Sequence, residues 1–186
     1  LNEHEVSKKI ISAKNPIVIF GQSALKLNSS GHLFEGMKKF LSENNKINDD
    51  WNALNVLSNN ASTVGAYDLD ILDNETIDNV LSNQFELVFL FGQDNLNIKK
   101  KNEFIVYIGT HGDRGAEMAD LILPSAAYTE QDGYYTNLEG NLQLAFKASY
   151  PPGEAKEDWE IVNELSKKLK GKNLYTNKQE LIDNLL

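Results

Sequence analysis

The chain contains no cysteine, which excludes disulfides, cysteine nucleophiles, zinc–cysteine sites and thiolate-held iron–sulfur clusters within it. Arginine is nearly as scarce, occurring once, at Arg114, among 18 basic residues set against 27 acidic ones. The resulting net charge of -9 argues against a nucleic-acid surface, which needs clustered Lys and Arg to neutralise phosphate. The one basic run, Lys99-Lys100-Lys101, sits among Asn97, Asn102 and Glu103 and reads as a solvated loop. No apolar run approaches the roughly 20 residues of a transmembrane helix, so no direct membrane insertion is expected. No basic-then-apolar leader opens the sequence. Abundant Asn and Lys beside a single Arg are the skew expected of an AT-biased genome, such as that of an organelle or a reduced bacterium.

The 186 residues, 41% hydrophobic and 24% charged, suit one sizeable globular domain. Mass scaling predicts a folded surface of about 9,000 Å². Four short apolar runs, at 17–20, 87–91, 104–108 and 121–123, are rich in β-branched and aromatic residues, and three end in Gly21, Gly92 and Gly109. Continuous apolarity without alternation predicts strands covered on both faces, as in a parallel sheet. Helical spacing appears in Val6, Ile10 and Ile11, and in Leu33, Met37, Phe40 and Leu41 behind Ser29-Ser30 as a cap. It recurs in Ile77, Val80 and Leu81 behind Asn74-Glu75-Thr76, in Trp159 to Leu169 before Gly171, and in 179–186. The order predicts an α/β body over 1–150 and a C-terminal helical extension over 151–186 of the same domain, divided at Pro151-Pro152-Gly153. The abrupt helical start suggests a fragment of a longer or split subunit.

Three segments carry residues suited to chemistry. Gly21 follows a strand, where a phosphate can approach backbone amides, but the dinucleotide fingerprint needs three glycines, and a glycine ending a buried strand accounts for this one. Gly109-Thr110-His111-Gly112-Asp113-Arg114-Gly115-Ala116 lies at the carboxyl end of a predicted strand, where open α/β sheets place ligands. A phosphate would find donors there, whereas a metal would find only His111 and Asp113, too few for a closed site. A His–Asp pair also lacks a nucleophile, since Ser125 has no elbow sequence around it. The bland alternative is a local Asp113–Arg114 pair with the glycines making turns. The third segment, 119–143, reads as a strand ended by Pro124 and then a polar ribbon with turns at Asp132-Gly133 and Glu139-Gly140-Asn141. Its polar side chains either line a pocket or satisfy backbone groups.

Thr-His-Gly-Asp-Arg-Gly-Ala at 110–116, Ala-Asp-Leu-Ile-Leu-Pro at 119–124, Glu130 and the Asn-x-Glu-Gly-x-x-Gln pattern at 137–143 resemble the molybdopterin oxidoreductase superfamily. Extended through Ser-Ala-Ala-Tyr-Thr-Glu at 125–130, they resemble one branch of it, the large iron–sulfur subunits of respiratory complex I. Trp51-Asn52-Ala53-Leu54-Asn55-Val56-Leu57, Ala61-Ser62-Thr63-Val64-Gly65-Ala66 and 151–159 agree with that branch.

The resemblance implies a Rossmann-like, mostly parallel α/β sheet with flanking helices. That family carries its clusters on an N-terminal cysteine-rich region, so this chain would be the C-terminal part, holding no cluster, with iron–sulfur clusters and FMN elsewhere in the complex. In catalytic molybdenum relatives the ribbon reads Asn-x-Glu-Gly-Arg-x-Gln beside the pterin. Here Asn141 replaces that arginine and removes a bidentate anion contact, with Arg114 and Lys147 the cations that could take its place.

The implied role is a non-catalytic scaffold of the complex I peripheral arm, with no catalytic residue, metal or cofactor. Thr110, His111, Arg114, Asn137, Glu139 and Gln143 would be the remnant of the pocket. Implied partners are other peripheral-arm subunits, including the cluster-bearing N-terminal part, at the matrix side of the mitochondrial inner membrane or the cytoplasmic side of a bacterial one. The alternative is a fragment of a true molybdopterin-dependent oxidoreductase that binds the cofactor near 109–143. A nucleotide-binding or thiamine-enzyme middle domain leaves those motifs unexplained.

Overall fold

The computed structural model describes residues 4–71, 74–82 and 84–185. They cluster into two compact units, one of Leu1–Leu69 with Thr136–Asn141, the other of Asp70–Tyr135 with Leu142–Leu186. The Pro151-Pro152-Gly153 break falls inside the second unit. The accessible surface is 13441 Å², well above the scaled expectation, and large apolar side chains account for part of the difference.

In the first unit, α1 (Glu5–Ser12), β1 (Val18–Gly21), α2 (Gln22–Leu25), α3 (Ser30–Glu43), β2 (Leu54–Leu57) and α4 (Thr63–Asp68) follow one another. Strands β1 and β2 pair in parallel, Val18 beside Leu54. Sequence pattern alone misses β2, because four residues interrupted by Asn55 show neither a run nor an alternation. Phe40, Leu41 and Ala53 form the buried centre, and Ile10, Ile11, Met37, Trp51 and Leu54 pack around them. The Trp51 indole donates to Pro16 O at 2.9 Å and Lys46 Nζ to Ala13 O at 2.7 Å, tying the loop before β2 to the chain before β1. Ser29 precedes α3 as expected, but its hydroxyl makes no capping bond. Ser62, at φ 58, makes no side-chain cap on α4; its Oγ instead accepts from Thr136 N at 3.2 Å.

In the second unit, α5 (Asn74–Leu81), β3 (Leu87–Phe91), β4 (Phe104–Gly109), α6 (Arg114–Met118) and β5 (Leu121–Pro124) lead to the strands β6 (Gly133–Thr136, whose last residue counts with the first unit) and β7 (Leu142–Ala145) and the helices α7 (Asp158–Lys170) and α8 (Lys178–Leu185). The side chains of the expected Asn74-Glu75-Thr76 cap lie outside the described residues, as does Leu186. Strands β3, β4 and β5 form a parallel sheet in that order, Phe89 beside Val106 and Ile108 beside Leu123. The crossover from β3 to β4 contains no helix; Ile98, 6% exposed, and Leu96 drop from it onto Val88, Leu90, Ile105 and Tyr107.

On the opposite face α7 lays Ile161 against Val106, Ile108 and Leu123. That covers only part of the face. Leu87, Phe89 and Phe91 are 51%, 38% and 48% exposed, so β3 is covered on one face and not on both as its composition predicts. The lead-in to α7 extends the sheet, since Ser125 bridges Lys156 in parallel and Ala126 N donates to Lys156 O at 2.8 Å. Gly171 ends α7 in the left-handed conformation at φ 71, as its sequence position predicts.

Leu41 is fully buried, so Leu41→Ala leaves a cavity in the first unit and is expected to cost roughly 3 kcal/mol of unfolding free energy, measured by denaturant titration.

Candidate functional site

The turn after β4 is built around a tyrosine. Tyr107, 2% exposed, lies between Gly109 and Gly115: a Cβ on either glycine would stand 2.5 Å from its ring. A Cβ on Gly115 would also meet Gln93 O at 2.7 Å. Two of the three glycines in the motif therefore make room for a side chain of the same strand, and only Gly112 has open space around it.

Asp94 closes the arrangement from beyond the end of β3. Its Oδ2 accepts from the Tyr107 hydroxyl at 3.0 Å and its Oδ1 from Gly115 N at 2.8 Å. Burial and the Asp94 carboxylate push the phenol up to about 12. The sequence signal for Asp94 was present but unspecific: a carboxylate two residues past Gly92, at the carboxyl end of a buried strand.

The candidate residues fall in different places. Thr110, His111 and Arg114 are exposed in the second unit, with Thr110 Oγ1 and His111 Nδ1 2.8 Å apart. Asp113 takes the N-cap position of α6 without a side-chain bond. Among the described residues no ion pair joins Asp113 to Arg114, so the expected local pair does not form. Asn137 and Glu139 belong to the first unit, Gln143 to the second. Asn137 Oδ1 accepts from Glu139 N and Asn141 N, both at 2.9 Å, and Gly140 adopts φ +81. Asn141 Nδ2 donates to Glu139 at 3.2 Å. The pattern at 137–141 thus folds its own turn. Gln143 is exposed on β7. Lys147 lies over the Tyr150 ring at 4.8 Å. Glu130 accepts from Ala127 N at 2.9 Å and organises its own turn.

Asp120, in the Ala-Asp-Leu-Ile-Leu-Pro stretch, accepts from Ile105 N at 2.8 Å and pairs with Lys100 at 2.6 Å. The Lys100 hydrogen bond, followed by that from Ile105, holds its carboxyl below the usual range. Lys100 also donates to Met118 O at 3.1 Å, and Lys101 N donates to the buried Glu103 carboxylate at 3.0 Å. Lys99, Lys100 and Lys101 lie exposed in a loop, as the sequence predicts, and Lys100 fastens that loop to the sheet edge.

Ser125 is buried and its hydroxyl donates to Asp158, a structural bond at the start of α7. Among the described residues no three His, Asp or Glu side chains cluster as metal ligands, and no helix is long and apolar enough to cross a membrane. None of the six candidates lines the grooves of about 240 and 560 Å³ in the second and first units.

Comparison with known proteins adds the family. The molybdopterin oxidoreductase family model matches residues 2–168. The chain is 44% identical over 182 residues to an NADH-quinone oxidoreductase subunit of Rickettsia bellii, covering 97% of this chain and 26% of that protein. It is 37% identical to the NADH-ubiquinone oxidoreductase 75 kDa subunit of Reclinomonas americana, covering 96% and 26%. It is also 37% identical to the mitochondrial NADH-ubiquinone oxidoreductase 78 kDa subunit of Neurospora crassa, covering 99% and 25%. The chain spans about a quarter of the length of these curated relatives.

Two outcomes follow from the turn. Gly115→Ala drives a methyl into the Tyr107 ring and is expected to cost about 2–3 kcal/mol, less in a Tyr107→Leu background, as read by a denaturation double-mutant cycle. The unfolded chain loses the Tyr107 proton near pH 10 and the folded chain near about 12, so the folded state binds more protons between them. Stability is expected to fall as pH rises through that window, and Tyr107→Phe to flatten the fall, in denaturation curves collected from pH 9 to about 12.

Proposed function

The chain belongs to the molybdopterin oxidoreductase family, and on that premise we propose that it is a non-catalytic scaffold segment of the large iron–sulfur subunit of respiratory complex I. Relatives named as subunits of NADH-quinone and NADH-ubiquinone oxidoreductases, matched over nearly the whole chain, support the assignment to that complex. Electrons in this reading pass from flavin along clusters held elsewhere, and the segment braces the part that carries them. Its place is the peripheral arm, on the matrix side of a mitochondrial inner membrane or the cytoplasmic side of a bacterial one.

The observation that carries the non-catalytic part is the filled turn after β4. An anionic pterin group at a strand's carboxyl end needs free backbone amides and space. At its α6 end the Gly115 amide is bonded to Asp94, whose carboxylate repels an anion, and the space beside it is taken by Tyr107. These residues do not fit such a group. Asn141 in place of a guanidinium argues in the same direction, its amide committed to Glu139. The bracing part is supported by the uncovered face of β3, where Leu87, Phe89 and Phe91 present apolar surface of the kind that neighbouring protein covers.

Native purification through a C-terminal tag tests the reading. Flavin, iron and an NADH-oxidising assembly are expected to come with the chain, without molybdenum or tungsten. Stoichiometric molybdenum would make 109–143 a working cofactor region and overturn the scaffold assignment.

A further inference from the structure

Helix α8 is attached to the second unit in an unusual way. The linker before it is fixed firmly: Asn163 Oδ1 accepts from Leu174 N at 2.7 Å and Tyr175 N at 3.1 Å, Asn163 Nδ2 donates to Tyr175 O at 2.8 Å, and Ser166 Oγ donates to Lys172 O at 3.1 Å. The helix itself is held more lightly, with Leu181 and Ile182 half-buried. Among the described residues, the side-chain hydrogen bonds that leave α8 for the rest of the unit come from Lys178, whose Nζ donates to Asp132 O at 2.6 Å and to Glu157 Oε2 at 2.5 Å. The other bonds close on the helix and its lead-in, with Thr176 donating to Glu180 and Glu180 N to Asn177. No residue of α8 is fully buried.

A groove of about 240 Å³ separates the two sides. Tyr134, Leu144 and Phe146 line one side, Gln179 and Ile182 the other, with Lys178 and Asp132 also on its wall. Phe146 is 77% exposed, so apolar surface faces α8 without being packed by it.

We propose that α8 is a releasable strap over Tyr134, Leu144 and Phe146, fastened by the Lys178–Glu157 ion pair. Glu157 keeps a donor when that fastening opens. Its carboxylate also caps the first turn of α7, reciprocally with Glu160, and accepts from the Trp159 indole at 2.9 Å. Withdrawing Lys178 leaves Glu157 with the Trp159 indole as a donor and frees Asp132 O, a polar cost set against the return of the ammonium to water. The ammonium, on a side chain 29% exposed, returns to water directly. An eight-residue helix does not persist alone in water, so a released strap melts, whereas α7 stays anchored by its cap and by Ile161.

Hydrogen exchange of the intact protein, read by mass spectrometry, tests this with Lys178→Met, which keeps the apolar stem and removes the charge. Amides of 178–185 are expected to exchange about tenfold faster in the variant, with α7 and β4 unchanged. In 1 M salt the wild type is expected to approach the variant, the variant itself not to respond, and Lys178→Arg to retain protection. Unchanged protection of 178–185 in Lys178→Met overturns the proposal. So does faster exchange spread through α7 and β4, which would make Lys178 a support of the whole unit.

Discussion

One carboxylate shared between the Tyr107 hydroxyl and the Gly115 amide sets the geometry of the second unit. Asp94 follows β3, Tyr107 belongs to β4 and Gly115 lies in the first turn of α6, so the contact joins three consecutive pieces of the α/β layer at the end where such layers are open. Around it the crossover needs no helix. Ile98 and Leu96 fill the face that a crossover helix covers in longer connections, and the buried cluster with Val88, Leu90 and Ile105 is complete without one. The two glycines follow from the same constraint: a ring standing between two loop residues tolerates no Cβ on either side.

The residues that carry the family resemblance turn out to hold backbone. Asp120 ties the amide of Ile105 to a lysine, Asn137 winds the ribbon turn, Glu130 closes another, and Glu157 caps α7 while receiving an indole and an ammonium. Gly65 belongs with them, since a Cβ there would stand 2.7 Å from Thr136 Oγ1. Polar side chains bonded to main chain in this way are costly to replace, because each substitution strands a donor or acceptor. A motif kept for that reason looks the same in sequence as one kept for a ligand.

The architecture was legible where the signal was long. Four apolar runs became four parallel strands, and the stripes ending at Leu41 and Leu169 became α3 and α7, because runs and stripes of that length mark the type of element even where Ile19, Phe89 and Ile122 stay exposed. Strand β2, with Asn55 in the middle, and α4 and α6, of six and five residues, are too short for a period to show. The candidate site was half legible. The loop at 109–116 was found by its glycines and its place after a strand, but the partners of those glycines, Tyr107 and Asp94, lie outside the loop. A tyrosine inside an apolar strand reads as core, and an aspartate after a glycine reads as a turn; only the fold brings them to the same point. Lys100 was hidden for the opposite reason, since three lysines in a row read as solvent whichever of them is paired.

A ligand turn and a self-filled turn make opposite demands on the same atoms. An amide that binds an anion is left unpaired until the anion arrives, and the surrounding residues are neutral or cationic so that the charge is welcome. Gly115 N has one hydrogen and Asp94 holds it, while the tyrosine raised to about 12 is itself the mark of a negative neighbour in a dry setting. Seating a phosphate there would require displacing a carboxylate that has two donors already in line, then bringing a second negative group into the space it left. With α6 only five residues long, its dipole offers little to offset that repulsion. The same carboxylate also completes the packing of β3 on β4. In the proposed scaffold the charge at this turn serves the core, holding a phenol and an amide of the same unit.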